Sequence, residues 1–187
     1  MDEITAEINR IVDYLSKPPR LVIGSHPPAS GIGCVMNVLS WEDRILNPHA
    51  EWTGDTPSDV KRELRSMIIQ ANDSCRHGSF YRHPAGYGFP RTVRSVCSDC
   101  ARRLFILAHK VRGSAYVEDG GLAMVLAKHM PDYSGWDIND AEDLYGKTPN
   151  IWLDRNEKLI NRWLKKTGYV APQVNSQVIA QALEHIS

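Results

Sequence analysis

Apolar residues recur at helical spacing along most of this chain, and no other feature of the sequence constrains the fold as strongly. Two stripes show the spacing best: Val60, Leu64, Met67, Ile68 and Ala71, and then Cys97, Cys100, Ala101, Leu104, Phe105, Ala108 and Val111. Residues three and four apart share one face of an α-helix, so each stripe predicts a helix with one buried side. Alternation with period two is confined to residues 21–23 and 116–117. The sequence therefore predicts an all-α protein.

The chain length and the breaks between stripes predict how the helices are organised. A chain of 187 residues can bury a substantial core as one unit. We expect a single helical domain over residues 1–187, a bundle of about six to eight helices. Between residues 74 and 94 glycines and prolines interrupt the helical pattern, which predicts one long irregular loop.

Two capping patterns predict where helices begin. Thr56 can cap a helix whose first residue is Pro57, and Asp59 completes a Thr-x-x-Asp box, so a helix is expected from there to about residue 73. Asp154 and Glu157 form a similar box, which predicts the start of the penultimate helix. Gly168 is expected to end that helix.

Charge and cysteine content narrow the class of protein. Lys and Arg together number 22, as do Asp and Glu, so the net charge gives no attraction to nucleic acid or to a membrane surface. We find no apolar run that suits a membrane span and no secretory leader, and we expect a cytoplasmic protein with no membrane contact. The four cysteines are then expected to be thiols or metal ligands rather than disulfides.

A pattern of residues lies between positions 33 and 73: Cys34, Val35, Met36, Glu51, Asp55, Pro57, Val60, Leu64, Arg65, Asn72 and Asp73. This pattern resembles an uncharacterised family of small helical proteins encoded by actinobacteria and their phages. The family reads Cys-x-Met-Glu, a Gly-Glu-Pro loop, Ser/Thr-Asp-x-Pro and a helix ending Asn-Asp. This chain departs from it at Trp52, where the family has proline, and at Gly54, where it has a hydroxyl residue. The resemblance implies a helical domain, located in the host cytoplasm if phage-encoded, and it implies no activity.

A second, shorter pattern consists of His49 and Glu51 followed by Cys97 and Cys100. It resembles the signature of zinc-dependent cytidine and deoxycytidylate deaminases, His-x-Glu and Pro-Cys-x-x-Cys. The resemblance implies that His49, Cys97 and Cys100 would bind zinc and that Glu51 would transfer protons. Val96 stands where the signature has proline, and the sequence shows no strands for the central sheet of such an enzyme. In the competing interpretation Glu51 orders a loop and the cysteines pack as small apolar residues.

A structural metal site is the other chemistry that the cysteines allow. Cys75, His77, Cys97 and Cys100 form a Cys₃His set, which suits tetrahedral zinc and would tie both ends of the irregular loop. Against this interpretation, Cys97 and Cys100 already fit the apolar stripe of a helix, and Cys75 can simply be buried. We expect no cofactor, with zinc as the alternative.

Basic and aromatic residues concentrate between positions 80 and 112, where seven basic residues accompany one acid, Asp99. Arginine beside exposed aromatic rings is typical of surfaces that bind proteins or single-stranded nucleic acid. The candidate binding residues are Phe80, Tyr81, Arg82, Tyr87, Phe89, Arg91, Arg94, Arg102 and Arg103. The competing interpretation is that these arginines lie on solvated helix faces or pair with the protein's own acids.

The sequence thus favours a non-enzymatic protein that binds a macromolecule through residues 80–103. A protein partner is favoured over nucleic acid, and the sequence predicts no oligomeric state. The alternative function is a zinc-dependent nucleobase or nucleotide deaminase that uses His49, Glu51, Cys97 and Cys100.

Overall fold

The computed structural model describes residues 1–24, 26, 31–82, 92–129 and 150–186, and it confirms the all-α prediction. Seven α-helices lie in these parts of the chain: α1 (Glu3–Tyr14), α2 (Val35–Leu46), α3 (Arg62–Asp73), α4 (Ser98–Lys110), α5 (Leu122–Ala127), α6 (Ile151–Thr167) and α7 (Ser176–Glu184). A 3₁₀ turn over Ser114–Tyr116 precedes α5, so the alternation at residues 116–117 does not produce a strand. None of the helices in the described ranges has the length and apolar character needed to cross a membrane.

All seven helices contribute side chains to one hydrophobic core. Helix α4 contacts α1, α2, α3 and α6, while α6 also packs on α3, and α7 packs on α2. The largest fully buried side chains include Trp163 and Phe105. Both predicted stripes are buried, with the half-buried Cys97 as the exception. The helical spacing therefore identified the core-facing sides of α3 and α4.

Helix α3 begins at Arg62, five residues after the predicted start at Pro57. Residues 57–60 form a turn, in which the Val60 N–H donates to the Pro57 carbonyl (3.3 Å). The Asp59 carboxylate does not cap α3, because it accepts the Gly113 N–H (3.0 Å) and pairs with Arg112 (3.2 Å). The predicted capping box is therefore wrong, since tertiary partners take the carboxylate that the local pattern assigns to the helix.

The start of α6 shows the same effect. Asn150 caps this helix by accepting the Leu153 N–H (2.8 Å), four residues before the predicted cap at Asp154. Asp154 lies inside the helix and pairs with Arg103 of α4 (2.6 Å). Gly168 ends the helix in the left-handed conformation (φ 65°), as predicted.

Residues 74–94 were expected to form one long irregular loop, but a small β-ribbon lies within this segment. Strand β1 (Phe80–Arg82) pairs antiparallel with strand β2 (Thr92–Arg94), and Phe80 lies opposite Arg94. Residues 83–91 between them lie outside the described part of the chain. The other side of β2 meets residues 21–23, where the sequence alternates with period two. Ile23 N–H donates to the Arg94 carbonyl (3.1 Å), and Val22 bridges Ser95. This buried segment attaches the hairpin to the core.

Candidate metal centre at the base of the hairpin

Three cysteines meet where the hairpin joins the helices. Cys75 follows α3 and precedes β1, Cys97 is the N-cap of α4, and Cys100 lies in the first turn of α4. Their sulfur atoms all lie within 4.8 Å of one another. Cys75 and Cys100 are fully buried and Cys97 is half-buried. Among the described residues, no other group of three or more His, Cys, Asp or Glu side chains approaches this closely.

The sulfur of Cys75 is the acceptor at the centre of this cluster. It accepts a hydrogen bond from the Cys97 backbone N–H (3.4 Å). Hydrogen bonding by the Cys100 thiol lowers the pKa of Cys75, and the backbone N–H groups of Cys97 and His77 add to this effect against the opposing effect of burial. The same hydrogen bond, together with burial, raises the pKa of Cys100. These opposite shifts of the two pKa values favour negative charge on Cys75 over Cys100.

A metal ion fits this donor set. Thiolate sulfurs bind Zn²⁺ at about 2.3 Å, which places two ligands of a tetrahedral site about 3.8 Å apart. The observed limit of 4.8 Å exceeds this value by about one ångström. Small rotations of the cysteine side chains would bring the three sulfurs onto one ion. Cys75, Cys97 and Cys100 are thus close enough to hold a metal.

The structure does not assemble the deaminase-like ligand set. His49 is exposed in the loop after α2, where its N–H donates to the Asn47 side chain (3.2 Å), and it does not join the cysteine cluster. Glu51 is also exposed. The described residues contain a two-stranded ribbon and no central sheet. Cys97 and Cys100 of that signature come together with Cys75 instead.

His77 lies two residues after Cys75, and its backbone N–H contributes to the lowered pKa of that thiol. Its side chain is exposed, and its imidazole is not among the groups that lie within 4.8 Å of one another. The predicted Cys₃His set is therefore assembled in three of its four side chains.

Gly78 closes the hairpin immediately outside the cluster. A Cβ atom at this position would lie 1.4 Å from the Ser95 carbonyl oxygen, so only glycine permits the observed approach of the two chain segments. Ser79 N–H donates to Ser95 Oγ (3.0 Å), and Ser95 N–H donates to the Ser79 carbonyl (2.9 Å). This contact, which we call the hairpin latch (Gly78, Ser79 and Ser95), holds together the segments that carry Cys75 and Cys97. No motif in the sequence distinguished Gly78 from the other glycines of the region.

The described part of the hairpin carries exposed aromatic and basic side chains. Phe80 is 66% exposed, and the Arg94 guanidinium lies 5.2 Å from the centre of its ring. Arg94 also donates to the Arg76 carbonyl. Arg82 is exposed and forms no ion pair with a described acid. The Tyr81 side chain and all of Tyr87, Phe89 and Arg91 lie outside the described residues.

The two arginines predicted to extend this surface along α4 are engaged within the protein. Arg102 pairs with Asp13 of α1 (2.7 Å), and Arg103 pairs with Asp154 (2.6 Å) and Glu157 (3.2 Å) of α6. They connect α4 to its neighbours.

A buried asparagine that the sequence did not single out as a site residue positions the segment beneath β2. Asn72 Nδ2 donates to the Val22 carbonyl (2.9 Å), and its Oδ1 accepts the Val35 N–H (3.1 Å). The neighbouring Asp73 accepts the Gly24 N–H (2.9 Å). The end of α3 thus holds both the start of α2 and the segment that bridges the hairpin.

Similarity to other proteins adds nothing to this description. Comparisons of the chain with protein-family models, with curated proteins and with solved structures found no match. The resemblance of residues 33–73 to helical proteins of actinobacteria and their phages therefore stays a prediction, and the interpretation of the site depends on its geometry alone.

Proposed function

We propose that this protein binds a protein partner through its β-hairpin, and that a zinc ion bound by Cys75, Cys97 and Cys100 fixes the hairpin to the helical core. The observation that carries the proposal is the meeting of three thiols at the point where both ends of the hairpin enter the bundle. A metal at this point would act as a structural clip. In this proposal the zinc has no catalytic role.

Zinc is the metal that suits the site best. Thiolate ligands select soft or borderline ions, and Zn²⁺ accepts the tetrahedral geometry that a compact cysteine cluster offers. The reducing cytoplasm that we expect for this chain keeps such cysteines available as ligands. All four cysteines are free thiols in the structure. Binding would also contribute free energy to the order of the hairpin, because the unfolded chain does not bring the ligands together.

The charge of the hairpin segment supports an acidic partner. Residues 74–98 contain four arginines and neither aspartate nor glutamate. The exposed Phe80 beside Arg94 provides the kind of aromatic and arginine anchor that is frequent in protein interfaces. We therefore propose a partner that presents acidic side chains around an apolar contact.

A protein partner is favoured over nucleic acid because few of the basic residues in and after the hairpin are free of the protein's own acids. Four of the seven basic residues between positions 82 and 112 pair with the protein's own acids: Arg102, Arg103, Lys110 and Arg112. Strong binding to nucleic acid uses about six to ten phosphate contacts. The net charge of zero gives no long-range attraction that would compensate.

Metal analysis tests the clip. Protein purified under reducing conditions in the presence of zinc should contain about one zinc per chain, and Cys97→Ser should lose most of it because one of three thiolates is removed. Cys34→Ser is the matched control, since Cys34 is buried but lies outside the cluster. Zinc-free wild-type protein, or equal zinc content in Cys97→Ser, would refute the clip.

Binding assays with defined probes test the surface. Wild-type protein should retain peptides from an acidic, aromatic-containing library, and the double variant Arg82→Glu/Arg94→Glu should lose this retention. Arg62→Glu is the control, because Arg62 is exposed at the start of α3 and away from the hairpin. Retention of a single-stranded oligonucleotide with a steep salt dependence would instead indicate nucleic acid as the partner. The proposal is refuted if the protein binds neither probe, or if binding to both probes is unchanged in the double variant. If the resemblance of residues 33–73 holds, actinobacterial and phage proteins are the source from which to choose natural partners.

A further inference from the structure

We propose that His77 is the fourth ligand of the metal site, and that its imidazole turns from its exposed position toward Cys97 when the ion binds. This inference rests on the proposed zinc clip and names the group that completes it. The result would be a closed Cys₃His site with no coordination position left for water.

The backbone of His77 is already in place. His77 follows Cys75 by two residues, and the next residue, Gly78, lies against the Ser95 carbonyl. Both neighbours thus hold the backbone of His77 beside the cluster, although its side chain is exposed. Rotation of that side chain toward the sulfurs is the movement that the proposal requires.

An open cleft lies between His77 and Cys97. It has a volume of about 320 Å³ and is bordered by the two prolines before residue 20, by the latch and by the start of α4. Cys97, the least buried cysteine of the cluster, is on its wall. The imidazole would enter this cleft when it rotates toward Cys97.

The cleft offers no competing protein ligand. Its described wall carries hydroxyl groups, the Arg20 guanidinium, backbone and prolines, but no carboxylate and no histidine other than His77. Arginine is a cation and serine hydroxyls are poor zinc ligands at neutral pH, so imidazole is the donor that matches the three thiolates. The alternative is a water molecule in the fourth position, which would leave the site open.

Cobalt substitution distinguishes these two arrangements. Co²⁺ bound to the wild-type protein should show the intense visible bands of a tetrahedral site with sulfur and nitrogen ligands, and His77→Ala should shift these bands and weaken zinc binding by more than about 100-fold. His77→Cys should restore tight binding with a spectrum typical of four thiolates. His129→Ala is the control, because His129 is exposed and lies at the end of α5.

The outcomes separate the two proposals. If the wild-type protein binds neither zinc nor cobalt, the clip itself is refuted, and the role of His77 with it. If metal binds with three thiolates but His77→Ala leaves both the spectrum and the affinity unchanged, the clip stands and His77 is not its ligand. Loss of zinc in His77→Cys as well as in His77→Ala would also overturn the inference, since a thiolate at this position should coordinate.

Discussion

Replacing Gly78 by alanine should separate the two chain segments at the base of the hairpin while leaving the helical bundle folded. The added methyl group would lie 1.4 Å from the Ser95 carbonyl oxygen, far inside van der Waals contact. The obstacle is backbone rather than the tip of a flexible side chain, so the two segments must separate. The helices are spared because their core residues are packed by one another and not by the latch.

The size of the effect follows from the hydrogen bonds that the separation breaks. Ser79 and Ser95 share three: Ser79 N–H to Ser95 Oγ (3.0 Å), Ser95 N–H to the Ser79 carbonyl (2.9 Å) and Ser95 Oγ–H to the same carbonyl (2.9 Å). At about 1 kcal/mol each, their loss costs about 2–3 kcal/mol of local stability. If zinc binds only the closed hairpin, its affinity should fall by up to about 100-fold, because binding must then also drive closure.

Two measurements test this reasoning. Amide hydrogen exchange should show lost protection at Ser79 and Ser95 with little change in α4, and competition with a chelator should give the zinc affinity. Gly120→Ala is the control: its Cβ meets nothing within 4 Å, but its φ of 61° carries the usual strain of an L-residue. A Gly78→Ala protein that keeps both its amide protection and its zinc affinity would show that the latch does not support the site.

Three further predictions concern the charged groups around the bundle. Both ring nitrogens of the buried His109 face oxygen acceptors, and one of these is the Glu42 carboxylate (2.9 Å). Glu42→Ala should therefore lower the free energy of unfolding, measured by urea titration, by about 3–5 kcal/mol. A loss below about 1 kcal/mol would contradict this prediction. Burial opposes ionisation of Asp2, but hydrogen bonds from Lys110 and Thr5 prevail and lower its pKa to about 2. The charge of Asp2 therefore stabilises the fold above about pH 4 and ceases to do so as the pH falls toward 2, and the difference in Tm between wild type and Asp2→Asn should shrink over this range instead of staying constant. Finally, Arg103→Gln should leave peptide binding unchanged, because the ion pairs of Arg103 lie within the protein. It should lower the free energy of unfolding by at most about 1 kcal/mol, because these ion pairs are partly exposed. Loss of peptide binding would show that Arg103 belongs to the interaction surface.

The helices were predictable from the sequence because their buried residues recur every three or four positions. The residues at which the helices begin were harder to predict. Asp59 and Asp154 each occupy the expected position of a capping box, yet each binds a side chain or backbone group more than 50 residues away in sequence. Asn150 caps α6, although no Glu or Gln follows it three positions later to complete a capping box. A capping pattern states which local bonds are available, and tertiary partners decide which bonds form.

The hairpin was not predictable for a related reason. Each of its strands has three residues, too few for a periodic signal, and the register depends on the contact between Gly78 and Ser95 and on the buried segment at Val22. These contacts join residues separated by 17 and 73 positions. The sequence showed the glycines that permit such an arrangement, but it did not show which glycine would meet which carbonyl.

The cysteines show why core packing does not argue against a metal site: the same positions serve the core and bring three thiols close enough to hold an ion. The spacing of Cys97 and Cys100 places both on the inward face at the start of α4, as the apolar stripe requires, and that same face meets the end of α3 at Cys75. The first N–H groups of a helix are free and favour negative charge, and here the Cys97 N–H donates to the sulfur of Cys75 and helps to lower its pKa. His49 could not take part because the loop after α2 is exposed and outside this junction. A pair of cysteines at the start of a buried helix therefore predicts a metal site only together with a third thiol delivered by the preceding helix, and here the end of α3 delivers it.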